Sequence, residues 1–177
     1  MSFKSAIRSF VYRKQSKEYY WNLRQKARNC RFPLLRWYYA HQHEKLMEKH
    51  NANIPYTTEI AGPPVLPHGL SGIYISAGAK VGSNCVIFHQ VSIGSNTLPD
   101  SKRQGFPTVG DNVYIGTGAK IIGNVRIGNN VRIGANCVVT EDIPDNATVV
   151  MERPRILVRE TPPDNRFLSQ SQLRTKP

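Results

Sequence analysis

Two histidines, His68 and His89, stand near the middle of this 177-residue chain, in the segments LPHGLSGIYIS and CVIFHQVSIGSN. Histidine is the side chain whose charge changes near neutral pH, so each is a candidate general base toward an acceptor hydroxyl. The three cysteines, Cys30, Cys85 and Cys137, are widely spaced and form no zinc or disulfide pattern, as expected in a reducing cytoplasm. A zinc hydratase site would need three histidines, and the segment that holds His68 and His89 has only these two. No metal is expected.

Both histidines lie in or beside a six-residue repeat. Aliphatic residues recur at Ile75, Val81, Ile87 and Ile93, then at Val109, Ile115, Ile121, Ile127, Ile133 and Val139. Four residues after each comes a small or β-branched residue: Ala79, Cys85, Val91, Thr97, Val113, Ala119, Val125, Val131, Cys137 and Ile143. Six is neither a helical period nor a simple strand alternation. It predicts short strands joined by tight corners, with three hexads closing one turn of a triangular coil and the ten hexads giving a little over three turns. Cys85 and Cys137 occupy the small inward slot and are expected to be packing residues. His89, two residues after Ile87, falls where a side chain should face solvent or a groove. The repeat breaks once, between Ile93 and Val109, where the insertion PDSKRQGFPT (residues 99–108) is polar, basic and turn-rich. It is expected to stand off the coil as a loop.

The tandem pattern IGTGAKIIGNVRIGNNVRIGANCVV resembles the hexapeptide-repeat acyltransferases. That resemblance implies a mainly β fold, a left-handed parallel β-helix, with a short N-terminal α-helical segment. The succession of Glu59-Ile60, GIYIS, HQVSIGSN, the insertion and PTVGDNVYIG is similar to the serine acetyltransferases. It is closer still to the O-acetyltransferases of capsule and exopolysaccharide synthesis. The resemblance implies a homotrimer with acetyl-coenzyme A lying between coils. A histidine deprotonates the acceptor, which attacks the thioester directly, without metal or enzyme nucleophile. It places His68 at the catalytic histidine and makes Glu59 the candidate to orient it; His89 stays the other candidate for the base on its position in the repeat. For the coenzyme it implies Thr117, Gly118 and Ala135 through backbone groups, and Lys120, Arg132, Arg153 and Arg155 toward the phosphates.

The chain departs from that pattern twice. Serine acetyltransferases read His-x-x-Gly-Ile, whereas His68 to Ile73 is one residue longer. Their loop carries an Arg-His pair, where this chain has Lys102, Arg103 and then Phe106. The missing loop histidine, together with an N-terminal helical part of only about fifty residues, points to a saccharide hydroxyl as acceptor, covered by Lys102, Arg103 and Phe106, with serine as the alternative.

Charge is concentrated at the N-terminus. Residues 1–50 hold twelve Lys/Arg and three acids, which is +9 of the formal +12. Phe3, Ile7, Phe10 and Val11 follow helical spacing, and Pro33 can open a second helix carrying Leu34, Leu35, Trp37, Tyr38 and Tyr39. A basic amphipathic pattern rich in Trp and Tyr suits the coil, a neighbouring subunit or an anionic membrane surface; no nucleic-acid motif occurs. Three parts are expected: residues 1–54, a basic helical segment; 55–160, the coil with its loop, ending in a strand from Arg155 to Arg159; and 161–177, a polar tail. No apolar run suits a membrane span or signal peptide, so the expected location is cytoplasmic, in contact at most with the inner membrane face.

Overall fold

A computed structural model describes residues 18–167 and residue 169. Each hexad contributes a strand only two or three residues long. Its first residue faces out and its aliphatic residue faces in, so a dipeptide suffices to expose one side chain and bury the next. Among the described residues, twelve strands form three parallel sheets of four. The first contains β2 (Tyr74–Ile75), β5 (Ser92–Gly94), β8 (Lys120–Ile122) and β11 (Val138–Val139). The second contains β1 (Glu59–Ile60), β3 (Lys80–Val81), β6 (Thr108–Val109) and β9 (Arg126–Ile127). The third contains β4 (Val86–Ile87), β7 (Tyr114–Ile115), β10 (Arg132–Ile133) and β12 (Thr148–Val149).

Register follows the repeat. Ile75 pairs with Ile93, eighteen residues on, and Ile93 pairs with Ile121 across the insertion. All ten aliphatic positions named from the sequence are buried, and with Cys85, Cys137 and the other small inward residues they form one column. The fold is a left-handed parallel β-helix with α-helices at its N-terminal end. It rises four levels rather than a little over three turns, because β1 and β12 extend the sheets beyond the regular hexads.

The corners require left-handed backbone, and Asn supplies it. Asn84, Asn112, Asn130 and Asn146 have φ between 51° and 61° and stack on the corner between the second and third sheets. Their side-chain amides donate down the stack at 2.7, 3.2 and 3.0 Å.

Three expectations need correction. Thr97 is exposed, because the chain leaves the coil at Asn96, which exchanges backbone hydrogen bonds with Gly105 at 2.9 and 2.8 Å. No strand forms at Arg155 to Arg159; β12 is the last among the described residues, and Ile156, Leu157 and Val158 are exposed on an extended segment. The insertion does not stand off. Arg103 lies back on the coil, its guanidinium donating to Asp142 at 3.0 and 3.1 Å.

A first helix, α1, is described over residues 18–29, and a second, α2, spans Pro33–Lys49. Tyr20, Leu23, Arg24 and Ala27 are buried at helical spacing, so one face of α1 is covered. Arg24 and Arg28 both donate to the Thr58 carbonyl, fastening α1 to the start of the coil. From α2 only His43 and Met47 are buried. The predicted apolar spacing of Phe3, Ile7, Phe10 and Val11 lies outside the described residues.

Candidate active site

His68 and His89 meet on the corner that joins the third sheet to the first. Val65 bridges Val86, placing the chain around His68 one level from β4, and His89 follows β4 directly. The longer turn after His68 closes through Gly69 and Gly72, at φ 73° and 65°, so the additional residue is absorbed locally. A Cβ on Gly72 would press on the Gln90 side chain at 3.2 Å. Gln90 itself has φ 60° and donates its amide to the Ser71 carbonyl at 3.0 Å. The two turns are thus locked one on the other.

The result is a close pair. His68 Nδ1 lies 2.7 Å from His89 Nδ1, with ring centroids 4.6 Å apart. One nitrogen must donate and the other accept. The donor ring then carries its proton on Nδ1 and has a bare Nε2, the form of a general base. His68 is exposed and its ring stands edge-on to Phe88 at 5.4 Å, which in turn contacts Tyr114 at 5.2 Å. Phe88, Tyr114 and Gln90 were not singled out from the sequence. The two aromatics occupy outward slots where the repeat leaves residue type free. Gln90 could have been found, since it stands six residues after Asn84, in the same left-handed slot.

The same corner continues downward through residues predicted for the coenzyme. Gly118 donates its amide to the His89 carbonyl at 3.1 Å, and Asn136 donates to the Thr117 carbonyl at 2.8 Å. Ala135, beside Asn136, is exposed. Lys120 donates from Nζ to the carbonyls of Gln90 and Gly118 at 2.7 and 2.8 Å, so its ammonium is held at the corner. Arg132 is exposed on the third sheet, in register with Tyr114. Arg153 and Arg155 are exposed on the extended segment after β12.

Other predicted residues lie elsewhere. Glu59 is on the second sheet, ion-paired with Lys80 at 3.3 Å. The loop with Lys102, Arg103 and Phe106 joins the first sheet to the second, a different corner from the histidines. Phe106 packs over Gly78, where a Cβ would meet its ring at 2.8 Å. Asp142 is held below the usual carboxylate range by the Arg126 amide first and the Arg103 guanidinium second. Lys102 is exposed and forms no ion pair among the described residues.

A model of the bacterial transferase hexapeptide family (six repeats) matches residues 106–141. A serine acetyltransferase of Bacillus pumilus is 35% identical over 108 residues, covering 61% of this chain and 48% of the relative. One from Synechococcus elongatus is 40% identical over 113 residues, covering 62% and 45%. The chain thus carries hexapeptide transferase repeats and is similar to the serine acetyltransferases. Its coil also superimposes on the Entamoeba histolytica serine acetyltransferase isoform 3 solved with cysteine, with TM-score 0.60 and 34% identity over 70% of this chain and 43% of that one. The chain spans about half the length of the curated relatives it matches. The expectation of a saccharide acceptor is overturned here: relatives and solved neighbours alike are named serine acetyltransferases, which favours the alternative.

Proposed function

We propose that the chain transfers the acetyl group of acetyl-coenzyme A to the hydroxyl of serine, with the His68–His89 pair as its proton-handling centre. The observation that carries this is the 2.7 Å Nδ1 contact on an open corner, in a chain whose relatives are named for that reaction. His68 donates from Nδ1 to His89, and its bare Nε2 takes the proton of the serine Oγ. Oγ attacks the thioester carbon, the C–S bond breaks, and the coenzyme thiolate recovers the proton from His68. While His68 is an imidazolium, the His89 lone pair accepts its Nδ1 proton and stabilises the charge. The phenylalanine at position 106 then does not count against serine, because the second histidine is supplied by the coil instead of the loop.

The coenzyme would run down the corner below His89. Thr117, Gly118 and Ala135 offer backbone groups to its pantetheine arm, and Lys120 and Arg132 offer charge to its phosphates. Arg153 and Arg155 follow on the extended segment. The loop and the histidines occupy different corners of one coil, so a neighbouring chain in a trimer would bring Lys102 and Phe106 toward the pair. Residues 55–160 are the catalytic part in this reading, with 1–54 and 161–177 as appendages.

The test is formation of O-acetylserine and free coenzyme A from L-serine and acetyl-coenzyme A. Replacing a positioned general base is expected to lower turnover by roughly 10²–10⁴-fold in His68→Ala. Wild-type chain that produces no O-acetylserine would refute the acceptor, and near wild-type turnover in His68→Ala would refute the base.

A further inference from the structure

The first half of α2 is an apolar, basic surface that the described residues leave open. From Arg31 to Tyr38 every residue is exposed. Phe32 is 70% exposed, Leu34 84% and Trp37 68%, with Leu35 and Tyr38 near half. Soluble chains rarely leave so many large apolar side chains together in water. The surroundings are predominantly basic, with Glu44 at one edge beside Arg36 and Trp37. No acid occurs between Glu18 and Glu44, an interval holding Arg24, Lys26, Arg28, Arg31 and Arg36. The N-terminal end of α2 adds to this, since Phe32 provides no side-chain cap and the first turn has no acid.

We propose that the surface from Arg31 through the start of α2 to Tyr38 docks on an anionic phospholipid surface. Leu34 and Trp37 enter the interfacial region while Arg31 and Arg36 meet the headgroup phosphates. The charge selects this occupant. A second copy bringing the same face would set arginine against arginine with a single acid, Glu44, at the edge beside Arg36, whereas anionic lipid neutralises the patch as it covers it. Trp and Tyr suit the headgroup level, where one part of the ring system is apolar and the other wet. No helix among the described residues is long and apolar enough to cross a membrane, so the contact is peripheral. The inference is independent of the acetyl-transfer reading.

The experiment is co-sedimentation of the full chain with vesicles of phosphatidylglycerol and phosphatidylcholine, against phosphatidylcholine alone. Three variants accompany it: Leu34→Ser with Trp37→Ser, Arg31→Glu with Arg36→Glu, and a deletion of residues 1–17. Binding is expected only with phosphatidylglycerol. It should weaken at least tenfold near 0.5 M salt, where the Debye length falls to about 4 Å. Each α2 double variant should lose at least tenfold, and both should keep the melting temperature of the parent, because the altered side chains are exposed. Equal binding to phosphatidylcholine would overturn the proposal. So would binding unchanged in the α2 variants and lost only with residues 1–17. If instead the Leu34/Trp37 variant changes the sedimentation coefficient of the chain in solution, the face joins two copies and the lipid assignment fails. O-acetylserine formation in the same variants reports on the corner site separately.

Discussion

At the scale of residues, the decisive contact joins two side chains 21 positions apart, His68 and His89. Their types were legible in the sequence, and their meeting was not. It depends on how the turn from Pro67 to Gly72 closes, and that rests on two glycines whose conformational freedom gives no direction by itself. The pair predicts unequal mutants. On the proposed assignment His68→Ala removes the base, while His89→Ala removes only the partner that holds its tautomer. Loss of one hydrogen bond to a charged group costs about 1.5–3 kcal/mol, or roughly 10–150-fold in kcat, with KM for acetyl-coenzyme A little changed. A larger loss in His89→Ala than in His68→Ala, measured in the same assay, would exchange the two roles. Gly118 makes a second prediction. It has φ 71°, and a Cβ there would collide with the Asn136 side chain. Gly118→Ala combines left-handed strain with that clash and is expected to cost about 2–3 kcal/mol, seen as a lowered urea midpoint. Gly62→Ala, whose nearest neighbour would be the Ser83 Cβ at 4.0 Å, serves as the mild control.

At the scale of elements, the coil was legible almost residue by residue, because each hexad repeats the same choice of an inward aliphatic residue and a turn-forming corner. The insertion was legible as a break and misread as a projecting loop. Nothing in PDSKRQGFPT announces that Arg103 will reach Asp142, 39 residues away. The helices were legible as helices only, since which side chains they bury depends on the coil beneath. His43 illustrates the point: it is buried between Tyr20 and Tyr56, with ring centroids at 5.7 and 6.2 Å. Burial, and then the nearby Arg24 guanidinium, push its pKa down to about 4. An unfolded histidine titrates near 6.5, so the unfolded chain binds a proton that the folded chain refuses until the pH nears 4. The stability that follows is complete above about pH 6.5, falls as the pH drops toward 4, and changes no further below it. The loss is at most about 3 kcal/mol. Urea midpoints at pH 7.5 and 4.5 measure it. His43→Gln should be less stable than the parent at pH 7.5 and show a smaller drop on acidification, and an identical drop would clear His43 of the effect.

At the scale of the whole molecule, a triangular coil separates what its corners carry. Histidines and loop are each placed by local turns, yet no turn within one chain can bring the first-to-second-sheet corner onto the third-to-first. In the proposed reading, closing the site around a serine calls on symmetry. In a cyclic trimer every coil offers its histidine corner to one neighbour and its loop corner to the other. This makes a prediction that a single-chain site does not share. A chain with His68→Ala keeps its loop, and a chain with Lys102→Ala and Phe106→Ala keeps its histidines; each alone is expected to be impaired. Co-expressed with distinct tags and purified as mixed trimers, they regenerate sites that take His68 from one chain and the loop from another. Every mixed trimer, whichever chain is in excess, has one productive junction among its three, so about a third of the sites are restored. Recovery near that fraction locates the site between chains. If the mixed trimers make no more O-acetylserine than the average of the two parents, histidine and loop act within one chain or the loop does not act at all.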